Sequence, residues 1–178
     1  MKETAIASER VFDGRLLKVD RVQVALDDGT KTSREVVRHP GAAVVLCRKS
    51  SGTFVFVRQY RFAAGCDLLE AVAGTLDAGE DPEQCAYREV EEETGYRPLD
   101  VIPLGAAYPA PGYTEERLHF FYAAIPETPG HQAPDEDERV EVVELSASRI
   151  EEMIAAGQIY DAKTLAAWLL YLRRMPND

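Results

Sequence analysis

Glu89, Glu92 and Glu93 stand at i, i+3 and i+4, which places three carboxylates on one face of any helix that contains them. Like charges at that spacing repel, costing roughly 0.2–0.5 kcal/mol per exposed i,i+4 pair and more once water is excluded. Arg88 and solvent can relieve part of this. A hard divalent cation relieves far more, because carboxylate oxygens are the ligands that magnesium and manganese take. Magnesium keeps several waters and is shared between carboxylates and substrate phosphates, so such a face suits attack of a metal-polarised water on phosphorus. A solvated acidic stripe on an amphipathic helix would use the same residue types. The run Glu-Val-Glu-Glu-Glu alone leaves both readings open.

The elements that must position these side chains are well marked. Asp81 can cap a helix, Pro82 suits its first turn, and Gln84 completes the spacing of a capping box. Gly95 suits the left-handed residue that closes a helix. Upstream, Leu68–Val72 reads as a short strand that ends at Gly74. Ala42–Cys47 and Phe54–Tyr60 flank Lys-Ser-Ser-Gly as a hairpin, its first strand apolar enough to be buried on both faces. Residues 1–38 read as strands: Val22, Val24 and Leu26 alternate, and Asp27-Asp28-Gly29 turns the chain toward Ser33–Val37. Downstream come strands over Val101–Tyr108, Leu118–Ala124 and Val140–Leu145, a polar surface loop over Pro126–Glu138, and helices from Ser146 and over Thr164–Arg173.

With 178 residues and 46% hydrophobic content, the chain suits one domain with a sizeable core and a small terminal extension. The formal net charge of −11 argues against nucleic acid or an anionic membrane as the main partner. An anionic substrate is compatible with it, since a bound metal reverses the local sign. Cys47, Cys66 and Cys85 form no CxxC pair and read as small buried thiols of a reducing compartment. His39, His119 and His131 read as turn or packing residues. The first ten residues hold no long apolar core and no run approaches a membrane span, so the expected location is cytoplasmic.

The stretch Gly74–Tyr96 fits Gly-x5-Glu-x7-Arg-Glu-U-x-Glu-Glu-x-Gly-U, where U is a bulky hydrophobic residue. Seven fixed positions match by chance roughly once in 10^8 to 10^9 starting points. The stretch resembles the Nudix box of the Nudix hydrolase superfamily, with Tyr96 in place of the usual aliphatic residue. The resemblance implies an α+β chain: a Nudix α/β/α sandwich with a mixed sheet, acting on a nucleoside diphosphate linked to another group. It implies Glu89, Glu92 and Glu93 as ligands of Mg2+ or Mn2+, two or more ions, with the Ala73 carbonyl as a further ligand. Glu80 becomes an outer-shell carboxylate, Arg88 the residue that orients the glutamates, and Gly74 the one that lets the turn come close.

Beyond the box, Arg38-His-Pro-Gly, Arg58-Gln-Tyr-Arg61, Leu69-Glu70-Ala-Val-Ala-Gly74, Ala110-Pro111-Gly112-Tyr-Thr-Glu-Glu116 and Gly157-Gln-Ile-Tyr-Asp161-Ala-Lys-Thr resemble segments of the ADP-ribose (ADP-sugar) pyrophosphatase group. Pro111 follows Gly95 by 16 residues, the spacing that marks this group. GDP-sugar and dinucleotide pyrophosphatases share several segments, and a non-catalytic ADP-ribose sensor is the reading from another class. At Val72 proline is commoner in the group, so this turn is less rigid. Arg38, Pro111 and Gly112 are candidate substrate contacts. Arg61 is a bidentate phosphate donor or a surface ion pair. Glu70 bonds a sugar or base edge, or ends its strand in solvent. Glu116, on what should be a mobile loop, matches the catalytic glutamate of the group, with Glu115 or a box glutamate such as Glu93 as the other candidates for the base. The resemblance further implies that residues 1–38 form an antiparallel sheet that dimerises, swapped between the two chains of a homodimer, ahead of a hydrolase domain over 39–178. No residue is assigned to stack on the base, because Phe12 is the sole aromatic among the first 50 residues.

Overall fold

The computed structural model describes residues 2–130 and 139–175; His131 and the end of the expected 126–138 loop lie outside the described residues. The chain forms two compact units, Met1–Gly41 with Tyr108–Arg117, and Ala42–Ala107 with Leu118–Asp178.

The first unit is built on three antiparallel strands, β1 (Thr4–Asp13), β2 (Lys18–Ala25) and β3 (Lys31–Arg38), in that order across the sheet. The β2–β3 register runs from Lys18↔Arg38 to Ala25↔Lys31. Its turn closes where expected: Gly29 sits at φ 84, and the Asp28 carboxylate accepts from Thr30 N at 2.8 Å. β2 alternates Asp20, Val22 and Val24 inward, whereas every residue of β1 is exposed. Tyr108–Arg117 joins this unit because its backbone pairs with β3. Val37 N donates to Tyr113 O (2.8 Å) and Glu115 N donates to Val37 O (3.1 Å).

The second unit contains β4 (Ala42–Lys49), β5 (Phe54–Arg61), β6 (Cys66–Glu70), β7 (Val72–Thr75), α1 (Pro82–Thr94), β8 (Asp100–Ala107), β9 (Leu118–Ile125), β10 (Glu141–Leu145), α2 (Ala147–Ala155) and α3 (Ala162–Arg174). Its sheet runs β10-β5-β4-β9-β8, with β6 on β5 and β7 on β4; β4 and β9 are parallel and the other pairs antiparallel. The single strand expected over Leu68–Val72 is two, because the chain leaves β5 after Glu70 and re-pairs with β4 from Val72.

The central strands carry apolar residues on both faces, and each face has its own helices. Val44, Leu46, Phe54, Phe56, Phe120 and Tyr122 pack with Ile150 of α2 and Trp168 and Tyr171 of α3. Val45, Cys47, Val55, Val57 and Phe121 pack with Cys85, Ala86 and Val90 of α1. The result is a mixed sheet between helices, the expected sandwich. Cys47 and Cys85 are buried as expected, but Cys66 is exposed, since it opens β6 just after the turn at Gly65. Among the described residues no helix is long and apolar enough to cross a membrane.

Candidate active site

α1 starts and stops as its sequence dictates. The Asp81 side chain accepts from Glu83 N at 2.9 Å, one residue short of the capping-box partner expected at Gln84. Pro82 occupies the first turn, and Gly95 closes the helix at φ 73, donating to Glu91 O at 2.9 Å. Cys85, Ala86 and Val90 are buried on the sheet side, and the helix is thereby held in one rotational setting. That setting presents Arg88, Glu89 and Glu92 beside the turn formed by β7 and Glu80.

Arg88 is the hub. Its Nε and Nη2 donate to the two oxygens of Glu80, both at 3.0 Å, and Nη2 also reaches Thr75 O at 3.2 Å. Nη1 donates to Glu89 Oε1 at 2.6 Å and to Glu92 Oε2 at 3.0 Å. The two Arg88 bonds to Glu80 hold its carboxyl down to about 2, against the opposing effect of burial and with help from the Asp77 N–H at 2.9 Å. The same bonding to Glu80, followed by the charge of Glu89 and the bonds to Glu89 and Glu92, keeps Arg88 protonated well above its ordinary range.

Gly74 is required by contact. A Cβ there would lie 1.9 Å from the Glu89 carboxyl carbon, so the absent side chain forms the cradle in which that carboxylate sits. Cys85 Sγ lies 3.6 Å from Gly74 O, and burial together with the nearby Glu89 and Glu80 charges pushes its thiol up to about 12. It is a packing thiol. Glu93 is only 2% exposed, and its Oε2 accepts from Ala73 N at 3.3 Å. The predicted glutamate and the predicted carbonyl are thus neighbours through a backbone amide.

Among the described residues no three acidic, histidine or cysteine side chains cluster so as to hold a metal ion; Glu89 and Glu92 each accept from Arg88 instead. The donor set nevertheless fits magnesium or manganese. It is all oxygen and anionic, and the Gly74 cradle leaves the Glu89 carboxylate against a bare backbone.

A second cluster joins Arg61 and Glu70. Arg61 Nε and Nη2 donate to the two Glu70 oxygens at 2.8 and 2.7 Å. Glu70 does not end its strand in solvent: its side chain is 2% exposed. Burial alone would raise its pKa, but the Arg61 bonds and the charge of Lys163, which also bonds it, bring it below the ordinary value. Lys163 in turn sits 3.0 Å from Asp161, the residue that caps α3. Lys163 is not among the expected site residues; its only signal in sequence is its place in the Gly157–Thr164 segment.

In the first unit, Arg38 bridges β2 and the 108–117 loop. Its Nε donates to Asp20 Oδ2 at 2.9 Å, and Nη1 donates to Glu115 Oε2 at 2.8 Å. Pro111 and Gly112 are exposed at the tip of this loop. The stretch expected to be mobile is stitched to β3 through Tyr113 and Glu115. Glu116 follows, half-buried, its backbone N–H donating to Thr114 Oγ1 at 3.1 Å.

A family model described as the NUDIX domain matches residues 37–167. The chain is 36% identical over 168 residues to an ADP-ribose pyrophosphatase of Bacillus subtilis (strain 168), spanning 94% of this chain and 91% of that protein. It is 37% identical over 154 residues to a GDP-mannose pyrophosphatase of Escherichia coli (strain K12), spanning 78% and 80%. The crystal structure of an ADP compounds hydrolase superposes on it with a TM-score of 0.84 at 22% identity, covering 100% of this chain and 98% of that one. The intact Gly74–Tyr96 box, the sheet between helices that carries it, and these likenesses agree: the chain belongs to the Nudix hydrolase family.

Proposed function

We propose that this protein hydrolyses the diphosphate of a nucleoside diphosphate linked to a sugar, ADP-ribose foremost, to AMP and ribose 5-phosphate. One observation supports it above the others: a single guanidinium, Arg88, gathers Glu80, Glu89 and Glu92 beside the Gly74 cradle. Such an arrangement stores carboxylates in a defined geometry until a stronger cation claims them. The likeness to the Bacillus subtilis protein, which extends over more of the chain than that to the Escherichia coli protein, favours an ADP-sugar over a GDP-sugar. The GDP-sugar reading is the second choice on the strength of that latter relative.

Two or more Mg2+ or Mn2+ ions, held by Glu89, Glu92 and Glu93 with the Ala73 carbonyl, would neutralise the diphosphate and make a bound water acidic enough to attack. Arg88 orients Glu89 and Glu92, and Glu80 in turn orients Arg88. Glu116 takes the proton of the attacking water. The water oxygen bonds to one phosphorus, the bridging P–O bond breaks, and the bridging oxygen leaves on the other phosphate. Arg61 offers the substrate phosphate the same two-pronged donor it now gives Glu70, and Lys163 keeps the buried Glu70 compensated when Arg61 turns away. Arg38, Glu70, Pro111 and Gly112 are the remaining proposed substrate contacts. The protein acts as a cytoplasmic homodimer through residues 1–38 and uses neither nucleic acid nor membrane, in keeping with its net charge of −11.

The test is turnover of ADP-ribose, GDP-mannose and dinucleotides at saturating Mg2+, scored by AMP or phosphate release. Glu89→Gln and Glu93→Gln should each lose at least about 100-fold in kcat, since each removes a charged ligand. Near-normal turnover in either variant would sink the assignment.

A further inference from the structure

Resting on the reading of Glu116 as the base, we propose that His39 is a positioning residue for that carboxylate, presenting a fixed N–H to it. The chain around His39 leaves its ring little choice. His39 precedes Pro40, which restricts it to extended backbone, and Gly41 then turns at φ 103. That turn brings the Gly41 N–H back to His39 Nδ1 at 3.1 Å. A ring nitrogen that accepts a hydrogen bond carries no proton, so the neutral imidazole bears its proton on Nε2. Nε2 lies 3.8 Å from Glu116 Oε1, with the His39 side chain 16% and the Glu116 side chain 29% exposed. The gap is longer than a hydrogen bond by less than about 1 Å. Catalytic contacts are commonly this loose until substrate is seated.

The two neighbouring acids are divided by the same geometry. Glu115 is engaged at both oxygens, by Arg38 Nη1 at 2.8 Å and by the His39 backbone N–H at 3.3 Å. It acts as the tether of the loop. Arg38 is shared with Asp20 of β2, which Arg10 of β1 also bonds. Glu116 is the carboxylate that faces the imidazole. One histidine therefore serves twice: its Nδ1 closes the turn after β3, and its Nε2–H fixes the aim of Glu116.

Two substitutions separate those services. Asn places its side-chain oxygen where Nδ1 lies and can accept from the N–H two residues on, so His39→Asn keeps the turn and loses the donor to Glu116. Gln places an N–H near Nε2 and loses the Gly41 acceptor. With ADP-ribose and saturating Mg2+, His39→Asn should melt like the wild type, keep KM within about twofold and lose about tenfold in kcat. His39→Gln should retain kcat within about threefold. In Glu116→Gln, the added His39→Asn change should cost nothing more, because both act through one carboxylate. Wild-type kcat in His39→Asn, with Glu116→Gln impaired, overturns this inference alone and leaves His39 as a turn residue. Wild-type kcat in Glu116→Gln overturns the base assignment and this inference together.

Discussion

At the scale of single residues, Gly74 and Glu80 make the sharpest predictions. Gly74→Ala must move the Glu89 carboxylate, because the added carbon would lie within 2 Å of it. The expected result is a fall of at least about tenfold in kcat with a weaker apparent affinity for Mg2+, read from metal titrations of turnover. An unchanged Mg2+ titration would show that Glu89 is not held by that cradle. For Glu80 the prediction concerns stability. Arg88 holds its folded-state pKa at about 2, below the ordinary glutamate value of 4.5, so the folded state binds the proton less readily than the unfolded one. The stabilisation is complete above the ordinary value and disappears as pH falls toward the depressed one. Wild type should therefore exceed Glu80→Gln in urea midpoint at pH 7, and the gap should close between about pH 4.5 and pH 2. A gap that persists at pH 2 would assign the effect to packing.

At the scale of elements, the site depends on where α1 stops and on what ties β6 to α3. Gly95 takes a left-handed conformation that costs an L-residue about 1–2 kcal/mol, so Gly95→Ala should destabilise by about that amount in chemical denaturation. Because Glu92 and Glu93 lie in the last turn, the variant should also weaken metal-dependent turnover. The β6–α3 tie is electrostatic and backbone together: Lys163 bonds Glu70, and Ala71 N donates to Thr164 Oγ1 at 2.7 Å. Glu70→Ala would leave Arg61 and Lys163 facing each other without their shared anion. A loss of about 1–3 kcal/mol is expected, since Lys163 keeps Asp161 and the half-exposed Arg61 meets water, leaving mainly the lost hydrogen bonds. A loss below about 1 kcal/mol would mean that water already compensates these charges.

At the scale of the whole molecule, the proposed homodimer has a physical motive. β1 is exposed along its whole length, and Ile6, Val11, Phe12, Leu16 and Leu17 stand in solvent around it. A long edge strand with apolar side chains invites a partner. Light scattering should give twice the chain mass, and Phe12→Glu should shift that mass toward the monomer. A monomeric wild type at micromolar concentration would refute the dimer.

What could be read from the chain alone was whatever neighbours in sequence decide. Helical spacing put Glu89, Glu92 and Glu93 on one face, and Asp81, Pro82 and Gly95 marked the ends of α1 because caps act through backbone groups only a few residues away. The Asp27-Asp28-Gly29 turn and the doubly buried β4 were legible for the same reason. Partnerships between distant segments were not. Nothing local distinguishes a Glu70 that ends its strand in solvent from one locked between Arg61 and Lys163, 93 residues away. Nothing local says that Cys66 is exposed while Cys47 and Cys85 are buried, or that His39 meets Glu116. Those contacts exist only once sheet order and register bring the segments together. The sequence determined which chemistry the box can do, through residue types at fixed short spacing. The tertiary structure alone decided which carboxylates are held by Arg88, which is buried against Ala73, and which is left to face an imidazole.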